Sequence, residues 1–529
     1  MRQMLKATGA IAVATLISRL LGLVREMVYA RFMGNGWVAS AFLLAFQIPN
    51  LFRRLLGEGA LTAAFIPQFK AKEKTEGEAA MWRSANAVLS GLIVAASIVV
   101  GVAIGVVSVL LMAGDFSTKT RLMLQLLRLM FPYLMMVCIA AVCMGMLNAR
   151  GKFFIPALGS SALNLVMIAS VLLLAPRMGS DLPQQIYGLA LGVLAAGLAQ
   201  AAFQIPSLIA DGWSFRWVNP WGDPTVGEVV RRMIPTTVGV AAFQINVMVT
   251  QGFAFFLGES IVASFQYAVR LMEFPQGLFG ASMAAYLLPT LSGLAAEKRY
   301  DEYRGALIGG LSHLTLINVL AGALLFGLAE PIVRLLFEGG VFHAGATRSV
   351  AQALMFLAPG LVAFSGTSVL ARAFYAVGDT RVPMQISLFC LGMNVILSVL
   401  LVLALRESGL ALANTVTATV NMALLAYALR RKFPKLDFGP VTREAPWILG
   451  AAVGAGGLAW GASLGWQRWQ GVNGLGVRGL AVLGPALLAS GAYLGFLAWK
   501  GVPSCRDLLG ILVDRMKRSV RRPGGPSTR

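Results

Sequence analysis

Six arginines lie in stretches of this chain that are otherwise apolar. Arg19, Arg25 and Arg31 fall in "LISRLLGLVREMVYARF", Arg53 and Arg54 in "NLFRRLLGEG", and Arg270 in "QYAVRLMEFP". An arginine at a bilayer centre costs about 2.5–3.5 kcal/mol on insertion scales, and more on an isolated helix. An apolar chain keeps such residues where they face a hydrated cavity. Acids nearby are few: Glu26, Glu58 and Glu273. Arg270 and Glu273 are three apart, on one helical face, and can pair. Glu58 follows Arg54 by one turn and can pair with it. Arg31 and Arg54 are near helix ends, where a long side chain can reach the interface. The surplus guanidinium at Arg19, Arg25, Arg53 and Arg270 favours an anionic ligand. The planar fork of arginine binds oxyanions bidentately, which points to a phosphorylated headgroup held within the membrane.

The rest of the chain must hold these side chains in a bilayer. Of 529 residues, 57% are hydrophobic and 13% charged, and the mean hydropathy is +0.74. Soluble domains are nearer 45–50% apolar and about 25% charged. The apolar runs are continuous rather than alternating, which excludes a barrel. The expected fold is an all-α polytopic membrane protein. About fourteen stretches satisfy the length rule: 5–33, 37–68, 84–113, 121–149, 157–176, 185–210, 229–257, 261–293, 305–329, 348–377, 383–405, 409–430, 445–466 and 475–499. The N-terminal run resembles a signal peptide, but Arg19 and Arg25 interrupt it, so it reads as an uncleaved first span. Basic residues crowd alternate connections, among them Lys70, Lys72 and Lys74, Arg150 and Lys152, and Arg430, Arg431 and Lys432. By the positive-inside rule both termini are cytoplasmic. The net charge of +21 is then a topology signal, dispersed over loops, and no nucleic-acid partner is expected. Membrane lipids are; the tail "RMKRSVRRPGG" can touch anionic headgroups.

The chain repeats itself. "GALTAAFIP" (59–67) resembles "GASMAAYLLP" (280–289), and "NARGKFFIP" (148–156) shares its Gly and closing Pro with "YAVGDTRVP" (375–383). Pro132 and Pro359 precede Pro156 and Pro383 by the same interval. Landmarks in register imply a duplicated six-helix bundle. Both copies share a membrane side by their loop charges, so the repeat is parallel, as in transporters whose site lies between the halves. The organisation expected is an N-lobe at 1–210, a C-lobe at 229–435, two appended helices at 440–500 and a basic cytoplasmic tail at 501–529.

The segments "SRLLGLVRE", "FQIPNLFRRLLGEGALTAAFIP" and "QYAVRLMEFPQGLFGASMAAYLLPTLS" resemble the signature stretches of the MurJ (MviN) lipid II flippases, of the multidrug/oligosaccharidyl-lipid/polysaccharide exporter superfamily. The resemblance runs in order over about residues 1–435. It implies fourteen helices, with the last two forming a lipid-tail groove. It implies alternating access that carries lipid II, the undecaprenyl-pyrophosphate-linked peptidoglycan precursor, from the inner to the outer leaflet of the bacterial cytoplasmic membrane. It assigns Arg19, Arg25, Arg53 and Arg270 to the pyrophosphate, with Glu273 beside the last; by the spacing read above, Glu26, Glu58, Glu273 and Arg54 are the expected supporting ion pairs, and the cell-wall synthesis machinery is an expected partner. Departures are visible. Ser40 and Val269 stand where many members carry an acid. Asn246, Asn394 and Ser398 are neutral where some members bind sodium. A net positive cavity would couple instead to membrane potential, at about 2.3 kcal/mol per charge per 100 mV. Gly34, Gly36, Gly57 and Gly59 are expected bending points.

Other functions fit less well. An embedded transferase or hydrolase needs a base, a metal set or paired carboxylates. The two histidines do not supply one: His313 reads as a packing residue and His343 as a solvated loop residue. No Gly-rich loop resembles an ATP site. No cofactor and no metal are expected. Cys138, Cys143, Cys390 and Cys505 lack disulfide or metal spacing and read as structural. A multidrug antiporter would want acids in its cavity. The alternatives that stay open are a flippase for another polyprenyl-pyrophosphate saccharide and a non-transporting cell-wall assembly protein.

Overall fold

The charge-bounded apolar runs fold as helices. The structure is a computed structural model and describes residues 2–52 and 60–510. Side chains are described for these residues except 2–13, 15, 60, 62–63 and 235–243. Arg53, Arg54, Gly57, Glu58 and Gly59, and the tail beyond residue 510, lie outside the described residues. Among the described residues there is no strand, only an isolated bridge between Gly339 and Phe342. Among the described residues, ten helical segments are long and apolar enough to cross a membrane. The pair Thr118–Met130 and Tyr133–Ala149, bent by 41°, makes an eleventh. Helices cover the described part of all fourteen stretches expected from the sequence. The other three stretches, 5–33, 37–68 and 229–257, are helical where described but are not among these eleven.

The chain divides into two units. The first runs to Ala263 and includes Phe337–His343; the second is Ser264–Leu336 with the described residues from Ala344 onward. The helices of the first unit are α1 (Arg2–Met33), α2 (Trp37–Phe52), α3 (Ala60–Glu76), α4 (Glu78–Ala113), α5 (Thr118–Met130), α6 (Tyr133–Ala149), α7 (Phe154–Ala169), α8 (Leu182–Ala202), α9 (Ile205–Ile209) and α10 (Pro224–Leu257). Its packed centre joins Phe65, Phe69, Trp82, Met146 and Trp213. The outer face of α4 is the reverse: Ile98, Val102, Val106, Val109 and Met112 are exposed. An uncovered apolar stripe of that length is a surface made for lipid.

α10 belongs to the first unit by its packing on α2, α3 and α4. Its far end is tied down by charge. Lys119, at the start of α5, donates through Nζ to the Phe255 carbonyl and, at 2.8 Å, to the Gly258 carbonyl. A cation there faces the negative end of the helix dipole and satisfies carbonyls that have no helical partner. Ser40 Oγ donates to the Glu259 carbonyl at 2.6 Å in the same turn.

The second unit contains α11 (Ile261–Pro275), of which its first residues count with the first unit, α12 (Ala281–Ala296), α13 (Tyr300–Gly327), α14 (Ala329–Leu336), α15 (Ala344–Leu357), α16 (Leu361–Ala376), α17 (Arg381–Leu405), α18 (Glu407–Lys432), α19 (Gly439–Gln470) and α20 (Leu475–Trp499). α19 packs on α20 and on α13. At the α13 crossing, a Cβ on Gly327 would lie 2.5 Å from the Gly456 carbonyl, so only glycine permits that approach. Residues 503–510 continue as a helix, and Cys505 and Val502 are buried against α19 and α20. The first part of the basic tail is therefore packed structure. All four cysteines are buried and free.

The repeated landmarks have the same geometry in both units. Pro132 lies in the break between α5 and α6, and Pro359 in a 3₁₀ turn between α15 and α16. Gly151 and Gly378 end their helices at φ +78° and +77°. After each, a backbone N–H reaches back five residues, Lys152 to Leu147 and Asp379 to Phe374. This is the Schellman closure, which requires a left-handed residue. Lys152 then pairs with Asp211 and Asp379 with Lys432. The position is the same and the polarity is opposite.

Candidate functional site

Among the expected site residues, Arg25 has the most developed surroundings. It sits on α1, half-buried, and α7 positions it. One guanidinium nitrogen, Nη2, donates to Glu26 Oε1 at 2.5 Å; Nη1 donates to Asn164 Oδ1 at 3.1 Å and lies 3.8 Å from Met167 Sδ. The Tyr29 ring centroid is 5.7 Å from the guanidinium carbon. The Arg25 Nε is buried without a partner. Asn164 also donates to the Ser18 carbonyl at 3.3 Å, so one amide joins two turns of α1 to α7. Asn164 was not among the expected residues. An asparagine in the apolar run "SALNLVMIAS" was its only sequence signal.

Arg19 is exposed on α1, beside the exposed Leu16, Ile17 and Leu20. It is six residues from Arg25, which places the two on different faces of the helix. Glu26 is buried and bound to Arg25. Arg53, Arg54 and Glu58 lie outside the described residues, so their pairing and placement are not part of this geometry. Arg31 ends α1, and its carbonyl accepts from Val341 N at 2.9 Å. Gly34, in the turn that follows, has φ +64° and lies against Val341, so it holds a fixed turn.

In the second unit, Arg270 Nη1 pairs with Glu273 Oε2 at 2.8 Å, across three residues of α11. Both side chains are part-exposed. α11 ends at Pro275, and Gln276–Gly280 form a π-turn before α12. Proline removes one helical donor, and such wide turns recur beside functional residues. Ser40 is fully buried and donates to a carbonyl, where an acid would have no proton to give at neutral pH. Asn394 Nδ2 lies 3.4 Å from Thr417 Oγ1. Among the described residues no cluster of three or more His, Cys, Asp or Glu side chains could hold a metal ion. His313 Nδ1 bonds the Gly309 carbonyl at 2.7 Å, within its own helix, and His343 is exposed.

Comparison with known proteins adds to this geometry. A family described as "Lipid II flippase MurJ" matches residues 29–474. The chain is 32% identical over 520 residues to the "Probable lipid II flippase MurJ" of Vibrio cholerae, covering 95% of this chain and 97% of that one. It is 31% identical to the "Lipid II flippase MurJ" of Burkholderia cenocepacia, covering 91% and 95%. A solved structure described as "Lipid II flippase MurJ, inward closed conformation" superposes with a TM-score of 0.73 at 21% identity, covering 92% of this chain and 99% of that one. An inward-facing multidrug resistance MATE family transporter superposes at 0.67 with 14% identity, covering 80% and 98%. The two superpositions speak for the fold alone.

Proposed function

The chain belongs to the lipid II flippase MurJ family, transporters rather than enzymes, and on that premise we propose that it moves lipid II across the bacterial cytoplasmic membrane for peptidoglycan synthesis. The match over residues 29–474 carries this reading. Arg19, Arg25, Arg53 and Arg270 act together on the pyrophosphate, and Glu26, Glu58, Glu273 and Arg54 hold them when the ligand is absent. The placement of Arg25 supports this. Glu26 and Asn164 hold its fork in one orientation, so little rotamer freedom is lost when a phosphate oxygen arrives. The pairing of Arg270 with a part-exposed Glu273 supports it as well, since in a hydrated cavity such an ion pair is worth at most about 1 kcal/mol and exchanges readily for a doubly charged ligand.

Transport proceeds by alternating access of an N-lobe and a C-lobe, about 1–210 and 229–435. The hairpin α19–α20 carries the polyprenyl tail. Both termini are cytoplasmic, the spans number fourteen, and the cell-wall synthesis machinery receives the product.

The experiment is a headgroup-resolved translocation assay in proteoliposomes. Purified protein is supplied with lipid II, or with a polyprenyl-pyrophosphate bearing a different saccharide. Movement of lipid II in preference to the other lipid is the expected result. Equal movement of both would make the protein a general polyprenyl-pyrophosphate carrier. Movement of neither, by protein that is folded and correctly inserted, would leave it a non-transporting assembly protein.

A further inference from the structure

α5 carries three basic residues, Lys119 and Arg121 in its first turn and Arg128 in its last, and it starts at the end of the bundle opposite the Lys70–Lys74 cluster. Loop charge does not explain them, because basic residues are expected at the other membrane face. Lys119 caps the end of α10. Arg121, Gln125 and Arg128 follow one another at i, i+4 and i+7, along one face of α5. Arg121 and Arg128 are exposed.

Arg128 lines a cavity of about 610 Å³ among α4, α5 and α8. Its walls are apolar: Ile104, Leu129 and Leu194. Its polar groups are nearly all donors. Arg128 Nη1 reaches only Ser108 Oγ, at 3.5 Å, and no carboxylate of the described residues pairs with it. The Gln125 side-chain carbonyl is already taken, accepting from Tyr187 OH at 2.7 Å, which leaves the Gln125 amide hydrogens for another acceptor. Ser108 lies five residues before the end of α4, and Tyr187 five residues after the start of α8. At 1.5 Å per residue that is about 7.5 Å inside those two helix ends, near the ends of α4 and α8 rather than their middles.

We propose that this cavity binds the phosphodiester of a membrane glycerophospholipid, with the phosphate on Arg128 and Gln125 and an acyl chain along Ile104, Leu129 and Leu194. An unpaired guanidinium against lipid is costly, and an anionic headgroup is the ligand a bilayer supplies at that depth. The site lies wholly within the first unit and is separate from the arginines assigned to the transported pyrophosphate. With cytoplasmic termini it draws on the outer leaflet.

The test is native mass spectrometry of the full-length, delipidated protein titrated with phosphatidylglycerol. Arg128→Gln should weaken the tightest lipid-binding event by roughly tenfold, as expected for one charge-assisted hydrogen-bonded contact. Arg128→Lys should recover part of it, and Arg121→Gln should stay within twofold of the unmodified protein. Inorganic phosphate at millimolar excess should not displace the lipid; displacement would assign the site to free phosphate and overturn the proposal. An unchanged affinity in Arg128→Gln, or an equal loss in Arg121→Gln, would also overturn it. If Arg128→Gln does not fold, Leu194→Trp narrows the acyl end of the cavity while leaving Arg128 and its Ser108 contact untouched. It should weaken the same binding event at least fivefold, and unchanged affinity would be equally fatal.

Discussion

Arg25 shows what a single side chain needs in order to act inside a membrane. Two of its nitrogens are engaged and the third, Nε, is buried without an acceptor. A buried donor left unpaired costs about 1–3 kcal/mol. Arg25→Ala should therefore weaken lipid II binding by roughly ten- to a hundredfold, the loss of one or two charge-assisted bonds. Arg25→Lys should recover only part, because it restores charge but not the fork. Asn164→Leu separates positioning from charge. It should weaken binding less than Arg25→Ala, and combining the two should add little beyond Arg25→Ala alone. Affinity for lipid II, measured on purified variants of equal thermal stability, decides all three; full additivity would mean that Asn164 acts independently. The arginine was legible in the sequence because a charge in an apolar run stands out locally. Asn164 was not, because its role depends on a partner 139 residues away.

At the level of elements, the helices and their breaks were largely readable. Proline and glycine act on the backbone of their own turn, so Pro132, Gly151, Pro359 and Gly378 mark the same places in sequence and in space. What the sequence did not announce was which helix packs on which. α10, for one, packs on α2, α3 and α4, and nothing in its own residues says so. Its distal end depends on Lys119, whose role is invisible without the carbonyls it meets. Lys119→Ala should raise hydrogen exchange of the amides around residues 255–260 by roughly tenfold, given about 1.5 kcal/mol for a charged hydrogen bond. Unchanged exchange there would mean that packing alone holds the helix end. Asp379 gives a pH-dependent case. The hydrogen bond from Lys432 holds its carboxyl below the ordinary carboxylate range, against the opposing effect of burial, and the Val382 N–H helps. A depressed folded-state pKa stabilises above the ordinary range, and the stabilisation is lost as pH falls through it. The unmodified protein should thus lose Tm on acidification below about pH 4 by more than Asp379→Asn does. Asp379→Asn should start lower at pH 7, and parallel curves for the two proteins would count against the pair.

For the molecule as a whole, topology is the first thing to check. The four native cysteines are buried, so an introduced thiol can be labelled against a low background. Ser527→Cys should react with an impermeant maleimide only after the membrane is opened. Reaction in intact cells would break the assignment of both termini to the cytoplasm. The second check concerns the two helix-end pairs, Lys152 with Asp211 and Asp379 with Lys432. Lys152→Asp should lower Tm by setting two acids together, and adding Asp211→Lys should restore most of the loss, as read by thermal unfolding in detergent. If the double reversal stays as unstable as the single one, the pair is incidental to the fold. The opposite polarity also bears on biosynthesis. A duplicated chain leaves the ribosome with its first copy finished while the second is still being made, and neighbouring nascent chains offer more copies of both. Were the two elbows identical, a late helix could be captured by an early partner. Here such an error sets lysine against lysine or aspartate against aspartate, and repulsion rejects the wrong match. The pairs would then act as a keyed plug and socket, cut once in each polarity, that tilts each half of the newborn protein toward closing on itself.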